Sequence, residues 1–354
     1  MLPSFRENRA GCLLIGVCVL VGLVALYAAA PRLAGMFFIQ RGAALLATDP
    51  AGQNAAILTE SLSNFQRAAD LLPDDPLPLR YMARVYQLDG RVDEALTVLE
   101  KALSLRPDSV LIQTDLLRAY VLTGHPDHAL ELSAALGYTP DRFVVVGDEY
   151  RRSGDYAQAL RWFDVAAYAD AALASHIVFH RLVSAALARD PQAFEVLHEA
   201  QTELPDLQAP QVGVAPVAVP GAAFRRVEAL SQPPFVSGTP LNHPYGGSTG
   251  VFWGNGQATL LVQVARSGAY VVRVTVVNTV PPPIQLAFGA NGLPLHQVSL
   301  VAGDNTQSVV EFPVMLTTPL STVDIWFLND ANVQGLDRNA YIEQVEILPA
   351  PSSQ

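Results

Sequence analysis

Hydrophobic and polar positions follow three different rhythms along this chain. Between Arg9 and Arg32 no charged residue interrupts the run GCLLIGVCVLVGLVALYAAAP. From about residue 42 to 207 apolar and small residues recur at helical spacing. Beyond Phe224 the apolar positions alternate with polar ones in short stretches broken by Gly, Pro and Asn. These rhythms predict a tail at 1–9, a membrane helix at 10–31, a helical array at 42–207 and a β domain at 224–348 followed by a short tail at 349–354.

About twenty apolar residues at about 1.5 Å each are enough to cross a hydrocarbon layer of about 30 Å. Tyr27 stands where an interfacial aromatic belongs. Ala28 and Ala30 resemble a signal-peptidase site, but Pro31 directly after them disfavours cleavage. Arg6 and Arg9 on one side and Arg32 and Arg41 on the other give little charge asymmetry. The expectation is an uncleaved single-pass anchor with the bulk of the chain outside the membrane.

Within the helical array the sequence resembles itself at a period of about 34 residues. The clearest unit, Pro76–Ser109, carries Ala83, Tyr86, Gly90, Ala95, Leu99, Ala102 and Pro107. The next keeps Tyr120, Gly124 and Ala129, and Pro140–Leu173 keeps Gly147, Gly154, Ala159, Phe163 and Ala166. Ala174–Leu207 retains Ala193, Ala200 and Pro205 but lacks the turn glycine, and Phe65, Ala68 and Pro73 match the second half of an earlier unit. Small residues let two helices approach, glycine makes the turn, and proline ends the second helix. This pattern resembles the tetratricopeptide family, over nearly half the chain.

That resemblance implies a solenoid that binds protein or peptide segments on a face lined by the first helix of each pair. Carried onto this sequence, the face would show Arg80, Arg84, Arg118, Arg151 and Arg152. Arg80 and Arg84 stand four apart and share one side of a helix. Guanidinium forks suit an acidic partner; the competing account is a solvated helix surface. His176 and His180 are also four apart, a spacing open to metal binding but commoner as packing.

From Pro205 the chain becomes rich in Pro, Ala and Val without helical period, which predicts a semi-extended linker at 208–223. The alternating segments ATLLVQVA, AYVVRVTVV, SVVEFPVML and STVDIWF then predict an antiparallel β-sandwich or jelly roll. In the second of these, Tyr270, Val272, Val274 and Val276 face one way and Arg273 and Thr275 the other. The fold class is therefore multidomain: a membrane helix, an α-solenoid and a β-sandwich.

Composition narrows the partners. The 354 residues carry a formal charge of −11, and only 16% are charged. Phosphate backbones need clustered Lys and Arg, so nucleic acid is excluded as a partner. Both cysteines, Cys12 and Cys18, fall in the apolar run, leaving the rest of the chain without disulfide or thiolate metal site.

Side-chain oxygens concentrate between Thr322 and Leu348, where a loop after VDIWF holds Asn329, Asp330, Asp337, Arg338 and Asn339. Hard cations such as Ca²⁺ take roughly six to eight oxygens from carboxylates, amides and carbonyls. The competing account is that Asn and Asp are there as turn formers. The order WGNG, SGAYVVRVTVV, STVDIWFLNDANVQGLDRNAYIEQVEI resembles the calcium-dependent carbohydrate-binding modules of the xylan-binding type. The resemblance implies a loop Ca²⁺ held by Asp330 and Asp337 and by the carbonyl of Leu336, with open positions for the vicinal hydroxyls of a polysaccharide. Arg338 and Asn339 would brace the loop, and Asn329 would add an oxygen or order the turn. It also suggests a second, structural Ca²⁺ at Glu228 and Glu343, although Leu230 stands where the family places another acid. Glu343 is expected on the same strand face as Tyr341, Val345 and Ile347. Trp326, opposite the Val323–Phe327 face, is the best candidate for an aromatic platform under a sugar, ahead of Trp253 and Tyr245.

Asp330 and Asp337 suit a cation loop better than a hydrolytic pair, and no phosphate-binding loop or catalytic triad can be assembled from the spacing. The expectation is a non-catalytic surface protein in which the solenoid presents a glycan-binding sandwich. The alternative is an assembly subunit of a membrane complex whose two folded parts both bind protein.

Overall fold

The computed structural model describes residues 7–227, 239–241, 247–252, 255–277, 283–301, 306–329, 332–333, 336–337 and 339–350, with backbone alone for 7–19, 21–28, 332–333 and 336–337. Two compact units divide between Gly137 and Tyr138.

The first unit holds α1 (Glu7–Thr48), α2 (Ala55–Leu71), α3 (Leu77–Leu88), α4 (Val92–Leu105), α5 (Val110–Thr123) and α6 (Pro126–Ala135). Each helix packs on its neighbours in sequence. The recurring small residues are where helices meet: Ala83, Ala95, Ala102, Ala119 and Ala129 are fully or almost fully buried beside Phe65, Leu99 and Ile112. Gly124 ends α5 in the left-handed region at φ 73°, where a Cβ would be strained.

The predicted break between a helix at 10–31 and an array beginning at 42 is absent. One helix runs from Glu7 to Thr48 with Pro31 inside it. Its C-terminal part is the missing partner of α2. A Cβ at Gly35 would lie 2.6 Å from Leu72, and one at Gly42 would lie 2.7 Å from the Phe65 ring. Those two glycines set the close approach, so helix pairing begins before residue 42.

The second unit joins α7 (Asp141–Arg152), α8 (Tyr156–Ala169), α9 (Ala171–Ala188) and α10 (Ala193–Glu203) to a two-sheet sandwich. Its strands are β1 (Gln211–Val212), β2 (Val217–Pro220), β3 (Arg225–Val227), β4 (Gly250–Phe252), β5 (Gly256–Val264), β6 (Gly268–Val277), β7 (Ile284–Ala290), β8 (Leu293–Leu300), β9 (Gln307–Leu316), β10 (Leu320–Phe327), β11 (Asn332–Val333), β12 (Leu336–Asp337) and β13 (Ala340–Pro349). One sheet runs β1-β5-β10-β7-β8 with β3 also on β5; the other runs β2-β13-β6-β9 with β4 also on β13. The strand pairs are antiparallel except β1 and β5, which run parallel, so the predicted all-antiparallel sandwich is corrected to a mixed one.

Phe252, Phe288, Phe312 and Phe327 fill the space between the sheets with Val272, Val274, Val276 and Ile325. A second core lies on the outer face of the first sheet. There Val178, Leu182, Val183 and Leu197 of the helices meet Val227, Leu261 and Leu320 of the strands. Consecutive Leu260, Leu261 and Val262 of β5 are therefore all buried, as befits a strand covered on both sides, whereas β6 alternates. Among the described residues α9 is long and apolar enough to cross a membrane, but 56% of it is buried and its side chains belong to this core.

Most of the segment predicted as a linker at 208–223 is built into the sandwich. It supplies β1, β2 and a 3-10 turn at Gly221–Ala223, and the Ala209 carbonyl accepts from Gln263 Nε2 at 3.0 Å. Gly221 is wedged so tightly that a Cβ would collide with the Ile342 carbonyl.

Candidate functional site

The helix-face arginines separate into two places. In the first unit Arg80 and Arg84 of α3 and Arg118 of α5 line a cavity of about 190 Å³ with Tyr81, Gln87 and Asp115. Arg80 donates from Nε and Nη2 to Asp115 Oδ2, each at 2.7 Å. Among the described residues Arg84 and Arg118 have no ion-pair partner, and Arg84 is exposed. One guanidinium is neutralised and two remain available to an anionic ligand.

Arg151 and Arg152 are not on such an open face. Asp148, fully buried one helical turn earlier, receives Arg151 Nε at 3.0 Å and Nη2 at 2.7 Å on Oδ1, and Arg152 Nε at 2.9 Å on Oδ2. Arg151 is itself buried. Placing it on a solvated peptide groove is corrected: it is a structural ion pair, formed because a carboxylate without water needs such partners. Both arginines border a pocket of about 410 Å³ whose other wall includes Gln257 and Trp326 of the first sheet. Trp326 is half-buried there, facing away from the inter-sheet core as expected.

Beneath that wall lies an acid of β10, set between the core residues Val323 and Ile325. Asp324 is 1% exposed. Its Oδ1 accepts from the Thr259 hydroxyl at 2.6 Å and Gln257 Nε2 at 3.2 Å. Its Oδ2 accepts from the Thr322 hydroxyl at 2.8 Å and the Gly292 amide at 2.9 Å. Burial pushes the Asp324 carboxyl above the ordinary carboxylate range, and the bonds from Thr259, Gly292, Thr322 and Gln257 oppose this without cancelling it. Burial, then the nearby Asp324, likewise raises the Tyr156 hydroxyl, against the opposing charge of Arg151. An acid flanked by buried-strand residues on both sides was the available signal.

In the oxygen-rich loop, β11 and β12 pair antiparallel, with Asn332 opposite Asp337 and Val333 opposite Leu336. The Asp337 backbone therefore lies opposite that of Asn332. Asp330, Arg338 and Glu228 lie outside the described residues, as do Trp253 and Tyr245, and the side chains of Leu336 and Asp337 are not described. Asn329 orders the turn: its Oδ1 accepts from the Gln285 amide at 2.7 Å and its Nδ2 donates to the Pro283 carbonyl at 2.8 Å. Asn339 is buried at the start of β13.

Glu343 does not share the face expected for it. A register shift between Ile342 and Gln344 reverses the phase of β13, so Ile342 and then Val345 and Ile347 are buried. Glu343 instead accepts from Gln307 Nε2 at 2.6 Å in an exposed position. The histidine pair divides too: His180 is buried edge-on to Phe163 at 5.8 Å, and His176 is exposed.

A tetratricopeptide-repeat family model matches residues 76–101, which are α3 and most of α4. Among solved structures, the chain is similar to a tetratricopeptide protein, YrrB, described as having an unusual peptide-binding site (18% identity, 52% of this chain and 92% of that one, TM-score 0.30). It is also similar to a family 35 carbohydrate-binding module from Clostridium thermocellum (13% identity, 38% and 99%, TM-score 0.27). A family 35 module from an environmental isolate matches at 9% identity over 27% of this chain and 67% of that one, with a TM-score of 0.23. Two longer proteins match over 26% and 23% of their own lengths. No curated protein matches the chain. The family match over residues 76–101 falls on a packed helix pair, as tetratricopeptide pairing requires.

Proposed function

We propose that this protein is a non-catalytic scaffold held at a membrane by the apolar run of α1, with two recognition surfaces. The first is the α3–α5 cavity, which docks an acidic peptide segment on Arg84 and Arg118. The observation that carries it is the arrangement of three arginines in one cavity with a single acid, Asp115, spent on Arg80. The second is the doubled-back loop of the sandwich, a site for Ca²⁺ and, through it, for vicinal hydroxyls of a polysaccharide. Asp330, Asp337 and the Leu336 carbonyl are hard oxygen donors of the kind Ca²⁺ takes, and a bound Ca²⁺ would supply open positions for sugar oxygens. Around it the chain itself fixes the turn through Asn329 and the β11–β12 pairing.

The test uses the full chain in detergent. A Glu-rich peptide should bind and lose at least tenfold affinity in Arg84→Glu/Arg118→Glu, and xylo-oligosaccharide binding should require Ca²⁺ and disappear in EDTA. An unchanged affinity in the double variant removes the first surface, and calcium-independent sugar binding or none removes the second.

One observation favours the assembly-subunit alternative. The sandwich is not a tethered module, because α8–α10 and the first sheet share a core. Calcium stabilisation without any sugar binding would select that alternative.

A further inference from the structure

The pocket between α7–α9 and the first sheet has a lining unlike either proposed surface. Among the described residues its ionised side chains are Arg151 and Arg152, and its walls include Val183, Leu187, Pro294, Trp326 and Leu328. Both cations are fixed rather than mobile, since Asp148 anchors the Nε of each. Asp148 partners the two guanidiniums from behind, and Asp324, which burial favours in its neutral form, lies beneath the opposite wall. Arg152 is 52% exposed, and among the described residues its terminal Nη nitrogens carry no partner. A guanidinium held by Nε presents its Nη pair as a planar fork, which matches a carboxylate.

The remaining lining decides what carries that carboxylate. A saccharide needs several uncommitted polar side chains, but among the described residues the uncharged hydroxyl and amide side chains here are Tyr156 and Gln257. The Gln257 Nε2 is already given to Asp324 at 3.2 Å and Thr259 at 3.4 Å. What is left is an apolar wall with an indole, beside a fixed fork. About 410 Å³ falls in the range of pockets for compact ligands.

We propose that this pocket binds a carboxylate borne on a flat or branched apolar body, with the anion on Arg152 and the body against Trp326, Val183 and Leu187. That chemistry belongs equally to the last residue of a peptide and to a free aromatic carboxylic acid. It is separate from the calcium loop and needs no metal.

The experiment is calorimetric titration of the full chain, in EDTA, with N-acetyl-phenylalanine and with its uncharged amide. A tetrapeptide ending in Phe with a free or amidated C-terminus provides the second arm. The free acid should bind at least tenfold more tightly than the amide. Arg152→Gln should lose about tenfold, and Arg152→Lys, which keeps the charge without the fork, should fall between. Leu187→Glu, placing a like charge in the wall, should abolish binding even if Arg152→Gln lowers the melting temperature. A tetrapeptide that outbinds the single residue marks a chain terminus as the source, and equal affinities mark a free acid. Equal binding of acid and amide, no binding of either, binding that depends on Ca²⁺, or unchanged affinity in the two loss variants overturns the proposal.

Discussion

The helix pairs of the first unit and those of the second both carry arginines in pockets, yet these have opposite fates. Arg84 and Arg118 line a cavity among helices alone and have no ion-pair partner among the described residues. Arg151 is closed off by the sheet that covers α7–α9, and Asp148 binds it and its neighbour Arg152. Residue type is alike, but repeat position and cover differ: Arg84 and Arg118 each stand six residues before a turn glycine, Gly90 and Gly124, whereas Arg151 stands three before Gly154 and lies under the sheet. An arginine beside water needs no acid, whereas a sheet over Arg151 makes it a structural cation that needs a buried one.

The sharpest way to break this comparison is to remove the acid on each side. Asp148→Ala strands a buried guanidinium and should cost about 3–5 kcal/mol by denaturant titration. Asp115→Ala, whose pair is 25% and 35% exposed, should cost less than about 1 kcal/mol. Similar costs would show that cover does not decide the role.

Leu261→Ala tests the cover itself. It empties part of the shared core rather than the inter-sheet one and should destabilise by about 3 kcal/mol. Helical and sheet signals of the second unit should still be lost in one transition, because the helices and the first sheet share one core.

Acid titration probes the same seam more gently. The folded Asp324 carboxyl holds its proton to a higher pH than the unfolded one. Its contribution is therefore greatest below the ordinary carboxylate value of about 3.9 and falls as pH rises from there through the raised value. Asp324→Asn should flatten that part of the stability profile, measured as melting temperature against pH.

The smallest effect concerns a turn. The first unit ends α5 on Gly124, but the second ends α9 on Arg189, held at φ 55°. A left-handed residue with a Cβ costs about 1–2 kcal/mol, and glycine carries an entropic cost of about 0.5–1 kcal/mol. Arg189→Gly should thus stabilise by about 0.5 kcal/mol, visible as a small rise in melting temperature.

What the chain discloses in advance is what depends on neighbours in sequence. Ala83, Ala95, Ala102 and Gly124 announce helix pairs because their spacing is itself the packing rule. Val272, Val274 and Val276 announce β6 because only one of its faces is covered. Features decided by distant residues stay hidden. The Pro- and Val-rich stretch around 211–220 has linker composition and becomes β1 and β2 only because β5 and β13 offer open edges. The bulge in β13 turns Glu343 outward, and nothing in AYIEQVEI marks where the phase breaks. The clamp on Arg151 was within reach: Asp148 precedes Arg151 by three residues and Arg152 by four, which places all three on one helix side. Three consecutive apolar residues in β5 also signalled a strand covered twice. In the loop, the backbone of Asn332 pairs with that of Asp337, a contact between residues five apart that composition alone does not disclose.

The unbroken course of α1 from Glu7 to Thr48 makes it a drive shaft. Gly35 and Gly42 key its far end onto α2, so the azimuth of the apolar run and that of the first helix pair are locked in phase. One residue inserted after Pro31 would turn one end against the other by about 100°, while seven would return it to within about 20°. Tolerance of seven but not of one would reveal that the phase between the two ends of α1, and not only their connection, matters to the protein.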